Sequence, residues 1–259
     1  YALSQYPEAL KTVQAEIDEK LGDRYATFED IENMPELQKV IAETLRLWPA
    51  PPLFIRCATE ADQWPEGGTG IEGGCSLARA NDLFISMYNM GRSPQLWEDP
   101  DVFDPQRWDR PFTNPEVKGW AGYDPDKRTG INIEQGGLWV ANLEIATDHA
   151  MLPFGAGARK CVGDQFALLE AAVSVVMLLR RFEFELSMDP VYPEKFDDNN
   201  PDKSIGMVGM KAAATIHTAT GLFCKVKERF PGETDLPPLQ APVREKKKRA
   251  ADEPQEVLV

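Results

Sequence analysis

The sequence predicts a mostly α fold carrying small antiparallel β-sheets (α+β). The first 48 residues hold three helical runs, each with apolar residues recurring on one face and a Pro or capping residue near its start. A further run, FALLEAAVSVVMLLRRF from Phe166 to Phe182, is long and apolar-periodic. Short alternating runs such as LFIRC, DLFIS and FEFEL, set off by Gly-rich turns, read as paired strands.

Taken in order, Pro7 to Leu21 places Leu10, Val13, Ile17 and Leu21 on one face, and Gly22 stops the helix. Thr27-Phe28-Glu29-Asp30 opens a second, short helix as a capping box, with Asp where Glu or Gln is usual. Pro35 suits the first turn of a third helix that runs through Leu37, Val40, Ile41, Leu45 and Trp48 until Pro49 ends it. From Ala50 the texture changes. LFIRCATEAD, the glycines between Gly67 and Gly74, and DLFISMYNM read as antiparallel strand pairs. Those glycines are not a phosphate loop, because no Lys-Ser/Thr follows and no helix begins there.

Residues 93–110 are dense in Pro, Asp and Trp and predict an ordered, irregular segment. Residues 111–147 are Gly-rich with little periodicity and predict a surface insertion. The long helix ends near Arg181, after which FEFEL and AATIHTATGLFCKVK read as strands. Residues 1–230 are expected to form the folded part, and 231–259 a disordered charged tail containing the basic run Arg244 to Arg249. The opening residues read as mid-protein helix, so the natural N-terminus is expected to lie upstream.

A hydrophobic fraction of 42%, a charged fraction of 27% and a net charge of −14 describe a globular chain and argue against a nucleic-acid partner. Four cysteines (Cys57, Cys75, Cys161, Cys224) show no C-x-x-C spacing, as in a reduced compartment. No apolar run reaches membrane-spanning length. His149 and His217 lack companions at metal-ligand spacing and are expected to be structural.

The chemistry is concentrated in Met151 to Gly163, MLPFGAGARKCVG. Gly155 and Gly157 allow a tight turn and a close approach to something flat. Arg159 and Lys160 set positive charge beside Cys161, and a helix N-terminus follows Gly163. Both features stabilise a thiolate, and free N–H groups at the helix start can point at the sulfur. The pattern describes an anionic sulfur presented to a metal. Inside the third helix, Glu43 and Arg46 lie three apart and share a face, the spacing of an ordinary salt bridge.

The spacing F-G-x-G-x-R-x-C-x-G, from Phe154 to Gly163, resembles the haem-binding loop of cytochromes P450 at every fixed position. Glu43-x-x-Arg46, Pro105-x-Arg107-Trp108 and the cysteine loop also follow in the order of the second half of that family. The resemblance implies the C-terminal part of the P450 fold, with Cys161 as axial thiolate to haem iron (iron protoporphyrin IX). Phe154, Gly155, Gly157, Arg159, Gly163 and Arg56 would be cofactor-binding, Arg159 and Arg56 pairing with the propionates. Glu43, Arg46 and Arg107 would form a structural triad. Pro51, Leu53, Phe54, Met210 and Ala213 would contact a hydrophobic substrate. The acid–alcohol pair that activates dioxygen in the family is not found, since Pro231-Gly-Glu-Thr234 sits between prolines in the tail. The chain therefore looks like a C-terminal half, expected to hold haem weakly by itself.

RKCVGDQFALLEA, FIRCATEAD and ATIHTATGL resemble plant and algal carotenoid ring hydroxylases. The implied function is a haem-thiolate monooxygenase acting on a carotenoid in the plastid. Fatty-acid or sterol hydroxylation, peroxide rearrangement and a truncated, non-catalytic haem-binding or interaction fragment are the alternatives. Electrons would come from a separate ferredoxin or flavoprotein reductase, with Lys160, Arg180 and Arg181 as candidates to dock an acidic donor. Any membrane association would run through the part missing at the N-terminus.

Overall fold

The computed structural model describes residues 1–22, 24–64, 72–128, 138–186, 210–212, 215–218, 222 and 224–230. Tyr1–Arg229 is one compact unit, and a second, Phe230–Val259, falls outside the described residues beyond Phe230.

The first unit opens with α1 (Ala2–Gln5) and α2 (Pro7–Leu21), the latter burying Val13, Ile17 and Leu21. Gly22 stops α2 at φ +50°, a value that favours glycine. In α3 (Phe28–Glu32) the predicted capping box forms, with Thr27 and Asp30 bonding each other's backbone N–H. Helix α4 (Pro35–Leu47) buries nine of its residues, four of them polar or charged: Gln38, Lys39, Glu43 and Arg46. Its N-terminus has no cap of its own. Glu16, reaching over from α2, accepts from the backbone N–H of Glu36 at 3.0 Å and of Leu37 at 2.9 Å. Burial pushes the Glu16 carboxyl up in pKa, against those two bonds. Burial also acts to lower the pKa of Lys39, but the hydrogen bonds it donates to Asp109 and Glu36, each 2.7 Å away, raise it overall.

Strands β1 (Leu53–Cys57), β2 (Asp62–Trp64), β3 (Cys75–Leu77) and β4 (Asp82–Ser86) follow. β2 pairs antiparallel with β3, and β1 with β4 in the register Leu53↔Ser86 to Cys57↔Asp82. This is the predicted pairing, although residues 65–71 of the Gly-rich connection lie outside the described residues. The run MYNM departs from expectation. It is a short helix, α5 (Met87–Met90), because the Ser86 side chain accepts from Asn89 N–H and caps it.

The segment 93–110 is irregular, as predicted, and well packed. Trp97, Phe103 and Trp108 are buried, and a 3₁₀ turn spans Pro105–Asp109. Trp108 is fully buried, with the rings of Trp97, Tyr123 and Trp139 at 5.7, 5.2 and 6.1 Å. Its indole N–H finds no hydrogen-bond acceptor among the described residues.

Of the surface insertion expected over 111–147, residues 111–121 are exposed or half-buried, whereas Tyr123 and most of 138–147 belong to the core. Tyr123, Leu138, Val140, Ala141, Leu143 and Ala146 are all core residues. They sit on a bridge between Phe112 and Tyr123, a 3₁₀ turn at Trp139–Asn142 and the one-turn helix α6 (Leu143–Ala146). Such short elements have no period to reveal them. Residues 129–137 are outside the described residues.

Helix α7 (Asp164–Arg181) packs against α2 and α4 and runs directly into β5 (Phe182–Leu186). Strands β6 (Met210–Ala212), β7 (Ile216–Thr218) and β8 (Cys224–Glu228) complete the unit. β5 pairs with β8 and β6 with β7, both antiparallel. The architecture is α+β, a helical core with four two-stranded sheets among the described residues. No helix among them is long and apolar enough to cross a membrane.

Candidate functional site

Two polar centres flank the core. In the first, Glu43 on α4 receives Arg46 Nε at 3.0 Å (Oε2) and Nη2 at 2.7 Å (Oε1). Arg107 Nε from the 3₁₀ turn reaches Oε1 at 3.0 Å, as does the backbone N–H of Asp104. All three side chains are buried. The remaining guanidinium N–H groups bond backbone carbonyls: Arg46 those of Gly91, Pro100 and Val102, and Arg107 those of Glu98, Asp99 and Val102. The structure thus joins α4 to the irregular segment through one carboxylate. Gly91 belongs to this junction, since a Cβ there would lie 2.0 Å from the Arg46 carbonyl oxygen.

The second centre is the cysteine loop. Gly155 and Gly157 take φ +73° and +62°, while Gly163, at φ −99°, makes no such demand. A Cβ at Gly163 would stand 3.9 Å from the Cys161 sulfur, in ordinary van der Waals contact with it. The backbone N–H of Cys161 donates to the Phe154 carbonyl at 2.8 Å and closes the loop. Phe154 itself is half-buried and packs on the core. Cys161 is exposed, two residues before the Gly163 N-cap of α7. No N–H among the described residues donates to its sulfur, contrary to the role expected of the helix start.

The two cations before the cysteine behave differently. Arg159 is exposed and has neither hydrogen bond nor ion pair among the described residues. Lys160 is turned inward, bonding Glu144 and, at 2.6 Å, the Ala141 carbonyl. Positive charge left free at the sulfur is therefore that of Arg159. Arg180 is likewise committed, to the carbonyls of Gly22 and Arg24 at 2.6 and 2.5 Å. These contacts remove Lys160 and Arg180 as free docking cations. Arg181 is exposed and lies over the Phe182 ring at 5.4 Å.

Strand β1 comes alongside the loop. A Cβ at Gly155 would meet Phe54 at 3.9 Å, and the Arg56 guanidinium lies 5.7 Å from the Phe54 ring centre. Arg56 is exposed and, among the described residues, its side chain hydrogen-bonds only the Ile55 carbonyl, at 2.9 Å. Beyond the sulfur, Val162 is fully exposed and Phe166 74% exposed.

No group of three or more His, Cys, Asp or Glu side chains among the described residues is placed to hold a metal ion. A metal at Cys161 would thus have fewer than three such side chains as ligands among the described residues and would draw the rest from a non-protein group. Exposed apolar side chains and two acid-free arginines suit an apolar macrocycle bearing carboxylates, so the residues present fit haem.

Of the substrate-side candidates, Pro51, Leu53 and Phe54 lie in and just before β1. Met210 instead lines a cavity of about 440 Å³ with Ile41, Leu45, Trp48, Val175 and Ile216. The two stretches are tied where Ile216 N–H donates to the Ala50 carbonyl at 2.8 Å. His217 lines the same cavity, and His149 is exposed at φ +66°. Ala213 and Pro231 to Thr234 lie outside the described residues.

Sequence reasoning missed Glu144 and Asp148. Asp148 takes a positive φ of 47° and accepts from Ala121 N–H at 2.7 Å, holding the approach to the loop. A signal for Glu144 existed: a single acid inside the apolar run LWVANLEIA needs a buried partner.

A sequence model described as Cytochrome P450 matches residues 1–208. The chain is 39% identical over 229 residues to Cytochrome P450 97B2, chloroplastic, from Glycine max, covering 88% of this chain and 36% of that protein. It is 34% identical to Carotene epsilon-monooxygenase, chloroplastic, from Arabidopsis thaliana, over 88% of this chain and 33% of that one. The chain thus spans about a third of the length of these curated relatives. Among solved structures, the cytochrome P450DA heme domain superposes with a TM-score of 0.62 at 23% identity, covering 89% of this chain and 40% of that one, which supports the fold.

Proposed function

The chain belongs to the cytochrome P450 family, and from that premise we propose that it carries the haem-thiolate part of a monooxygenase acting on a carotenoid. The single observation that bears most weight is the exposed Cys161, held by its own amide to Phe154 beside the free Arg159. Haem is the cofactor, and when bound it supplies the dioxygen chemistry that places one oxygen atom in a C–H bond.

The chain's own residues have narrower tasks. Cys161 gives the sulfur ligand. Arg159 and Arg56 neutralise the propionates, since each is exposed and neither has a carboxylate partner among the described residues. Glu43, Arg46 and Arg107 fix the irregular segment to α4. Phe54 borders the cysteine loop at Gly155, and the apolar residues Pro51 and Leu53 precede it in and before β1, where a greasy, elongated substrate would lie. The likeness to Carotene epsilon-monooxygenase, chloroplastic, favours a carotenoid, and that name together with Cytochrome P450 97B2, chloroplastic, favours a plastid location. Electrons come from a separate ferredoxin or flavoprotein reductase.

Expression of the complete gene in carotene-producing bacteria tests this. Hydroxylated carotenes are expected, and Cys161→Ala should abolish them together with the thiolate-type Soret band of the ferrous carbon monoxide complex. Unchanged carotenes from a haem-loaded protein would refute the substrate, and a haem-loaded protein without that band would refute the ligand.

A further inference from the structure

We infer that Lys160 is a positioning residue that aims the Cys161 sulfur, through a clamp on Glu144, Ala141 and Asp164; this rests on the haem-thiolate reading above. Lys160 Nζ bonds the Glu144 carboxylate and the Ala141 carbonyl (2.6 Å), and lies 3.4 Å from Asp164 Oδ2. These partners come from three successive places: the 3₁₀ turn at Trp139–Asn142, α6, and the first residue of α7. Glu144 is buried, so its charge has a strong need for this ammonium.

The backbone turns that anchor into an aim. Lys160 is extended (φ −58°, ψ 145°), and successive side chains of an extended backbone leave in different directions. With Lys160 drawn inward, Cys161 is sent outward, and it is exposed. The loop's other anchors are backbone ones, from Cys161 N–H to the Phe154 carbonyl (2.8 Å), Lys160 N–H to the Gly157 carbonyl (3.1 Å) and Gly155 N–H to the Leu152 carbonyl (3.0 Å), so Lys160 supplies the side-chain one. A Cβ at Gly157 would meet nothing within 4 Å, and the Arg159 side chain has no partner among the described residues. The anchorage is itself firm: Trp139 N–H donates to Gln38 of α4 at 3.1 Å, and Leu138 N–H to Gln165 of α7 at 3.3 Å. Lys160 thus acts as a tether from a rigid floor to the residue beside the ligand.

Two measurements on Lys160→Met, Lys160→Arg and Lys160→Met/Glu144→Gln test the assignment, the double variant leaving no unpaired buried carboxylate. In this chain, hydrogen exchange at the Cys161 amide should quicken at least about tenfold in Lys160→Met and in the double variant, with α4 amides unchanged and Lys160→Arg close to the parent. In the complete haem-loaded protein, the same two variants should lose part of the thiolate-type Soret band of the ferrous carbon monoxide complex, and Lys160→Arg should restore it. Unaltered exchange and an unaltered band would overturn the assignment while leaving the monooxygenase reading intact. Faster exchange spread equally over α4 and α7 would also overturn it, as general destabilisation. A parent protein lacking the band would remove the reading and the assignment together.

Discussion

Arg46 grips Glu43 with two parallel hydrogen bonds, 3.0 and 2.7 Å long, and neither side chain reaches solvent. Arg107 then shares the Oε1 that Arg46 Nη2 already holds. A carboxylate so placed is stable because all its partners are present, and losing it leaves two buried cations without a counter-charge. Glu43→Ala should therefore cost about 3–5 kcal/mol. Urea unfolding followed by circular dichroism would read this, and an unchanged midpoint would contradict it.

Gly91 serves the same junction by having no side chain. A methyl group at this position would stand 2.0 Å from a backbone oxygen, which cannot turn aside as a side chain can. Gly91→Ala should lower stability by about 1–3 kcal/mol, the usual cost of overpacking. The thermal midpoint reports it. Gly157→Ala differs, because nothing crowds that site and the penalty comes only from its φ of +62°.

Asp30 provides a pH dependence. Hydrogen bonds from Arg24, with further ones from Thr27, hold its carboxyl well below the usual carboxylate range. Its folded pKa lies below the unfolded one, so its contribution is present above about pH 4 and lost as the pH falls. Asp30→Asn should lower the urea midpoint at pH 7 and make its decline toward pH 3 shallower. An equally steep decline in the variant would show that Asp30 is not among the groups responsible.

Arg159 has no ion-pair partner among the described residues. In the complete haem-loaded protein, Arg159→Gln should speed haem loss to an apoglobin acceptor by about tenfold, the scale of one charge-assisted hydrogen bond. Arg180→Gln is the control, because its guanidinium is spent on the Gly22 and Arg24 carbonyls. Equal loss rates in the two variants would argue against a propionate at Arg159.

What could be read from the chain was local. Thr27 and Asp30 announce α3 because both halves of the cap lie within three residues. The cysteine loop is contiguous, so its spacing is visible on the page. Glu43 and Arg46 are visible as neighbours, but their burial depends on Arg107, 61 residues beyond Arg46 in sequence. Glu16 caps α4 from 20 and 21 residues upstream, and no local pattern shows that. Ser86 could have revealed α5, but the alternation of DLFIS carries the eye past it. Lys160 was legible as a charge and not as a contact, because its direction depends on Glu144, 16 residues back.

Two kinds of cohesion therefore meet on the irregular segment. Arg107 ties it down by charge, while the Trp108 indole, whose N–H has no acceptor among the described residues, is held by packing against the rings of Trp97, Tyr123 and Trp139. Cooling weakens apolar burial without dissolving a fully satisfied ion pair. Near freezing, the indole should loosen first, with the guanidinium at its side still seated.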